Sequence, residues 1–361
     1  MVNTFRTDYK MNTTTSTGFV YHADYLKHDT GVHPETAERL RAIIQKLEET
    51  GITEKLRKIV PTKASKEQLR YVHAPEYIGE VEAMCRRGGG ALDPDTPLCE
   101  ATYEIALLAA GGVIKAVDEV MDKSNSLKHV FALIRPPGHH ATPNKGMGFC
   151  IFNNIAIAAE HLKREYGINR VLIADWDVHH GNGTQRMFFD DASVLYFSTH
   201  QYPHYPGTGW IDEVGKGKGE GFTVNVPLPA GTDDDGYLYA LNDILVPIAM
   251  EFRPDFVLVS VGFDAHAADP LASMNVTSRG FGRFTALIKD IAEKNGNGRV
   301  VMALEGGYNL NAIAESALSV FNSLLSDESE LRVKESEIRA SEQVQIRVEE
   351  VKEVQRRYWD I

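Results

Sequence analysis

The sequence predicts an α/β fold, a central and mostly parallel sheet with helices on both faces. Three observations carry this expectation. Short, almost unbroken apolar runs recur at residues 130–134, 171–174, 194–197, 256–261 and 300–304. Continuous rather than alternating apolarity marks strands buried on both faces, as parallel strands are. Helical patterns lie between several of these runs, at 155–166 and 237–251, the alternation expected of helices packed against a parallel sheet. Finally, four of the runs end in polar clusters, where the carboxyl ends of parallel strands gather chemistry.

Taken in chain order, residues 1–17 are polar and rich in Thr and Asn, and read as a flexible N-terminal arm. They lack the apolar stretch of a secretory signal. One domain follows over 18–326. Residues 35–49 form an amphipathic helix, with Leu40, Ile43, Ile44 and Leu47 on one face and Gly51 as its stop. Ser65 with Gln68 is a capping box that opens a second helix. Residues 102–120 are a third helix, rich in Ala and Leu. The glycine-rich string at 215–221 fits no phosphate-binding loop, and residues 233–236 lack calcium-loop spacing and read as a turn or helix start. Residues 327–361 are strongly charged without Gly or Pro; Val344, Val348, Val351 and Tyr358 share a helical face. That segment is expected to be a helix packed on the domain, with an oligomer contact as its alternative role.

Composition narrows the function. Lys and Arg total 38 against 50 Asp and Glu, a net charge of −12, which disfavours a nucleic-acid binder and suits a cationic partner. No apolar run is long enough to span a bilayer, so no membrane association is expected. The three cysteines, Cys85, Cys99 and Cys150, have no metal-site or disulfide spacing, and point to a reducing, cytoplasmic setting.

The polar clusters at the strand ends are Arg135-Pro-Pro-Gly-His-His140, Asp175-Trp-Asp-Val-His-His-Gly-Asn182, Gly262-Phe-Asp-Ala-His266 and Glu305-Gly-Gly-Tyr308. Asp177, His179 and Asp264 form a credible metal triad. Two carboxylates and an imidazole suit a divalent ion and leave a position open for water. Zn²⁺ and Fe²⁺ both fit these ligand types. In the His139-His140 doublet, one imidazole can take the proton of a metal-activated water and return it to a leaving amine. Asp175 and Asn182 are candidates to orient the pair. Tyr308, after two glycines, can donate a hydrogen bond to an oxyanion. Together these parts specify metal-assisted amide hydrolysis. His73, His161, His200 and His204 read as structural or surface residues, and His266 is left open beside Asp264.

These motifs, with His33-Pro-Glu35 and Arg39, His73-Ala-Pro-Glu-Tyr77, Gly148-Phe-Cys150, Phe152-Asn-Asn154, Tyr205-Pro-Gly-Thr-Gly209, Asp269-Pro-Leu271 and the Asn309 that follows Tyr308, resemble the zinc-dependent histone deacetylase and acetylpolyamine amidohydrolase family. The similarity runs from about Val20 to Leu325, and Asn182 aligns it with the class II branch. The resemblance implies the arginase–deacetylase fold and makes 18–326 the catalytic domain. It implies Zn²⁺ on Asp177, His179 and Asp264, with His140 as general base and then acid. His139, paired with Asp175, would act electrostatically, and Tyr308 would polarise the acetyl carbonyl. Gly148, Phe149, Tyr205 and Leu271 would line a substrate tunnel, and Arg39 an internal acetate channel. A monovalent cation, K⁺, is implied near Asp175, Asp177, His179, Ser198 and Thr199, and another near Phe188, Asp191, Val194 and Phe222. Gly181 and His266 stand where a two-metal arginase site needs carboxylates, which disfavours a manganese pair. Polyamine-selective class II relatives carry an acidic gatekeeper where this chain has Leu271. Acetyl-lysine in proteins is therefore the expected substrate, with acetylated polyamines as the alternative.

Overall fold

The computed structural model describes residues 15–326 and 338–361. Its strands are β1 (Thr17–Val20), β2 (Arg57–Ile59), β3 (Gly89–Ala91), β4 (Pro97–Cys99), β5 (His129–Ala132), β6 (Val171–Asp175), β7 (Val194–Gln201), β8 (Thr223–Leu228), β9 (Phe256–Val261) and β10 (Val300–Leu304). Its helices are α1 (Ala37–Glu49), α2 (Lys66–Leu69), α3 (Pro75–Arg86), α4 (Thr102–Met121), α5 (Asn154–Tyr166), α6 (Asn182–Phe188), α7 (Asp234–Ala240), α8 (Val246–Phe252), α9 (Ser278–Asn295), α10 (Leu310–Leu325) and α11 (Glu342–Gln355).

Eight strands form one sheet in the order β2-β1-β5-β10-β9-β6-β7-β8, every neighbouring pair parallel; β3 and β4 make a separate antiparallel ribbon. Helices α1, α10 and α9 pack as one row and α4 with α5 as another, so the sheet is covered on both faces. The expected α/β architecture is the observed one. All six residues of β9 and all five of β10 are buried, which is why their runs read as continuous apolarity.

Three strands of the eight-stranded sheet escape the apolar signal, as do both strands of the ribbon. β1 and β2 are short, and β8 carries Asn225 and Pro227. β7 runs four residues past its apolar run, through Ser198, Thr199, His200 and Gln201, all buried. The end of β7 borders the site, and three of these four side chains find partners there: Ser198 Oγ meets His200 Nδ1 at 2.9 Å, His200 Nε2 meets Gly209 O, and Gln201 Oε1 accepts from Ser273 N at 2.8 Å. The single helix expected over 237–251 is three pieces, with a wide π-turn over Leu241–Leu245 between α7 and α8. Pro247 lacks the N–H that a regular α-helix would need here, and the wider turn accommodates it.

The capping box at Ser65 forms, but the helix that it opens is only four residues long. Asp233 caps α7 by accepting from Gly236 N. Thr17, placed by the sequence in the N-terminal arm, opens β1; residues 1–14 of that arm and 327–337 of the charged tail lie outside the described residues. Val344, Val348 and Val351 of α11 are buried against β8 and α7. Gln355 Nε2 donates to Thr223 O, and Trp359 Nε1 to Gly221 O. The outer strand of the sheet is thereby covered rather than left as an open edge.

Candidate active site

The four polar clusters sit at the ends of β5, β10, β9 and β6, which are consecutive in the sheet. Segments 129 and 167 residues apart in sequence meet there because neighbouring parallel strands end together. Asp175 is the last residue of β6, and the chain from it to α6 supplies Asp177, His179 and Asn182.

Asp177, His179 and Asp264 are buried and bring one ligand atom each within 4.8 Å of the others. His179 Nδ1 lies 3.1 Å from Asp177 Oδ1 and 3.2 Å from Asp264 Oδ2. The remaining oxygens are fixed by backbone: Gly306 N donates to Asp177 Oδ2 at 2.8 Å and Val178 N to Asp264 Oδ1 at 2.9 Å. A Cβ at position 306 would lie 2.0 Å from Asp264 Oδ2 and 2.6 Å from Asp177 Oδ2, so only glycine lets the turn after β10 close on the carboxylates. Asp264 Oδ2 is buried with no hydrogen bond of its own, only the approach of His179 Nδ1, a single partner shared with Asp177. The crowded negative charge holds the His179 pKa up near 10, with burial opposing. It also raises Asp264, through burial and Asp177. A divalent cation meets all these demands at once, and three ligands leave room for a water. The donor set fits a metal.

A second group, His139, Cys150 and Glu305, is also compact and buried. Its donors are already engaged. Glu305 Oε2 accepts from Gly138 N (2.7 Å) and His139 N (3.2 Å), Glu305 Oε1 accepts from Ser260 Oγ (3.1 Å), and Cys150 Sγ accepts from His140 N (3.4 Å). This cluster holds the His139-His140 backbone rather than an ion. Sequence reasoning quoted Glu305 but gave it no role; its place just past β10 was the available signal.

The two imidazoles lie 4.0 Å apart between centroids, tilted 47° to each other, and differ sharply in environment. His139 Nδ1 faces Asp175 Oδ2 at 3.1 Å; despite burial, Asp177 and Asp175 push its pKa to about 10. Burial, then His139 and His179, lower the His140 pKa well below the ordinary value. His140 Nδ1 meets Asn182 Oδ1 at 2.8 Å. An amide oxygen only accepts, so His140 carries its hydrogen on Nδ1 and keeps Nε2 as a free base. Burial keeps the Tyr308 hydroxyl protonated, its pKa raised well above 10.0.

Tyr308 is fixed from three sides. Its N–H donates to Asp269 Oδ2 at 2.6 Å, its ring meets Phe149 edge-on at 5.6 Å, and the Arg39 guanidinium lies 4.9 Å from the ring centre. Arg39 also donates to the carbonyls of Gly307 (2.6 Å) and Glu305 (2.5 Å), so it supports the turn that carries Tyr308. Behind it, Glu35 is bridged by Arg39 and Arg135, at 3.1 and 2.7 Å. Burial alone would raise its pKa; the two guanidiniums bring it down to about 2.

At the mouth, the Tyr205 ring stands 5.2 Å from His140 and 6.1 Å from His179. A Cβ on Gly148 would strike His140 and Tyr205, at 2.5 and 3.0 Å, so this glycine keeps the space beside His140 open. Leu271 N donates to Asp269 Oδ1, which ties the lip to the Tyr308 clamp. His204, read from the sequence as structural or surface, stacks on His179 at 4.9 Å and meets Leu271 O at 3.1 Å through Nε2. Only the folded 202–210 segment brings it there. His73, His161 and His200 engage Thr142 O, Asp118 and Gly209 O, away from the metal ligands.

Of the residues expected around a first monovalent cation, Asp175 pairs in register with Ser198, and Thr199 Oγ1 is buried without a partner. At the second group, Asp191 receives Lys163 Nζ at 2.5 Å and Ser193, while the Phe188 and Phe222 carbonyls accept from Asp191 N and Tyr196 N.

The family profile described as "Histone deacetylase domain" matches residues 33–324. A protein of Archaeoglobus fulgidus named "Probable deacetylase" is 43% identical over 357 residues, 95% of this chain and 98% of that one. The histone deacetylase-like amidohydrolase of Pseudomonas aeruginosa is 40% identical, covering 83% of this chain and 78% of that one. The human polyamine deacetylase HDAC10 is 40% identical over 86% of this chain and 48% of its own. Among solved structures, the HDA15 HD domain superposes with a TM-score of 0.88 at 37% identity, covering 96% of this chain and 95% of that one.

Proposed function

The chain belongs to the histone deacetylase family, and from that premise we propose that this hydrolase removes the acetyl group from acetyl-lysine in proteins, with Zn²⁺ on Asp177, His179 and Asp264. When bound, the ion supplies Lewis acidity to the attacking water and the acetyl carbonyl. The chain's own groups do the rest. His140 Nε2 takes the proton of the water as its oxygen attacks the acetyl carbon, and returns it to the lysine nitrogen as the amide bond breaks. Asn182 keeps the proton-accepting nitrogen free. His139, held cationic beside Asp175, adds positive charge next to the base, and Tyr308 donates its hydroxyl proton in a hydrogen bond to the forming oxyanion. Phe149 and Tyr205 shape the passage for the lysine methylenes, acetate leaves past Arg39, and K⁺ at the end of β7 supports Asp175.

Leu271 carries the choice of substrate. It places an alkyl group, not a carboxylate, at the lip beside His204. A second amine gains nothing from it. The polyamine reading rests on a different observation: Asp93 and Asp95 lie close enough to Tyr205 to raise its pKa, after burial. The test is kcat/KM of the zinc-loaded enzyme on an acetyl-lysine peptide and on acetylated putrescine and spermidine, with His140→Ala as control. Faster peptide turnover is expected; faster polyamine turnover would overturn the substrate assignment and keep the chemistry.

A further inference from the structure

Asn182 faces two ways. Its Oδ1 meets His140 Nδ1, and the same side chain lines a cleft of about 620 Å³ between the 142–145 loop, α6 and the 208–213 segment. None of Gly148, Phe149, Tyr205 and Leu271 lines this cleft. Its lining is rich in donors without acceptors. Lys145 and Arg186 stand on its wall and, among the described residues, meet no acidic partner. Asn182 Nδ2 reaches only the thioether of Met147, at 3.6 Å, a weak acceptor. The one carboxylate in the lining, Glu213, is already engaged: it accepts from Gln185 Nε2 at 2.5 Å, and from Gly209 N and Trp210 N at 2.8 and 3.0 Å.

We propose that this cleft is a second binding site, for a carboxylate or phosphate group held by Lys145, Arg186 and Asn182 Nδ2. Two cations and an amide donor around one pocket form charge-assisted hydrogen bonds to such a group. The occupant also acts on the reaction centre. An acceptor on the Nδ2 side holds the amide with Oδ1 toward His140, which preserves the tautomer that leaves Nε2 basic. The anionic group has two sources, a free anion or an acidic side chain flanking the acetyl-lysine.

Two arms separate them. In the first, inorganic phosphate is titrated calorimetrically into zinc-loaded protein whose catalytic centre is filled by a hydroxamate. Saturable binding is expected, weakened about ten-fold or more in Lys145→Gln/Arg186→Gln and diminished by added NaCl. The second arm, which alone rests on the deacetylase reading, compares kcat/KM for peptides carrying Glu or Gln at successive positions around the acetyl-lysine. A Glu preference in the wild type that vanishes in the double variant identifies the substrate as the source; phosphate binding with no Glu preference identifies a free anion. Phosphate binding equal in both proteins, or absent from the wild type, together with no Glu preference, overturns the site. Absence of peptide turnover defeats the deacetylase reading and leaves the first arm intact.

Discussion

His140 and Tyr308 divide the proton chemistry by environment rather than by residue type. His140 is held neutral by burial and by the positive charge beside it. Its active form is the neutral one, so activity should persist below the ordinary histidine pKa of 6.5 and disappear only as pH falls through the lowered value; an acid limb of kcat/KM centred above pH 6.5 would contradict this. His140→Ala should leave zinc content and melting temperature unchanged and reduce kcat by roughly 10²–10⁴-fold. Tyr308→Phe should cost roughly 10²–10³-fold in kcat, as removal of an oxyanion donor does; a change confined to KM would make Tyr308 a binding residue. Of the parts of this site that were legible in the sequence, the metal triad and Tyr308 follow a strand end within four residues and the His doublet within eight. Asp269 is a partner of backbone N–H groups, and His204 reaches the metal ligands through a loop. Contacts of that kind have no spacing rule, so residue order alone does not reveal them.

Between residues and the molecule stand elements that brace one another. Arg347 of α11 lies 4.7 Å over the Trp210 ring and donates to Pro227 O; the Trp210 ring in turn meets Tyr202, tilted, at 4.7 Å, two residues before His204. Arg347→Ala should loosen the mouth, and KM for peptide should rise up to about five-fold, a cation–π contact of ~1 kcal/mol, while kcat changes little. Arg347→Lys should recover part of the loss. Helices α1, α4 and α5 and the fully apolar strands announced themselves through periodicity and continuity, whereas α3, α9 and α10 were not read from the sequence. β1, β2 and the outer half of β7 did not, because shortness or polar content broke the apolar run, and in β7 the polar residues are those that border the site.

At the scale of the whole molecule, two buried charge centres bear on stability with opposite needs. Glu35 is compensated from within by Arg39 and Arg135. Its folded pKa of about 2 lies below the ordinary 4.5, so its contribution is full above pH 4.5 and lost as pH falls toward 2. Denaturant melts of Glu35→Gln should show a loss of about 3–5 kcal/mol at neutral pH, the cost of leaving buried guanidiniums unpaired, and a weaker dependence on acid than the wild type. Asp177 and Asp264 are compensated from outside. Chelation should abolish turnover and lower the melting temperature, by the stability that ligand binding confers, about 4 kcal/mol when the ion is present at a thousand times its Kd. Both should return with Zn²⁺; an unchanged melting curve would argue against an ion in this site.

Arg39 makes its two backbone hydrogen bonds to residues 266 and 268 positions later in the chain. On a ribosome, the support for Tyr308 is therefore among the first parts of the domain to emerge, and what it supports is among the last. β10 and the turn after it close the site from the middle of a sheet whose other strands are already synthesised. A nascent chain stalled before residue 300 lacks both the tyrosine and the glycine that lets the carboxylates approach. The site thus cannot assemble before the last strand of this sheet and the turn after it have emerged.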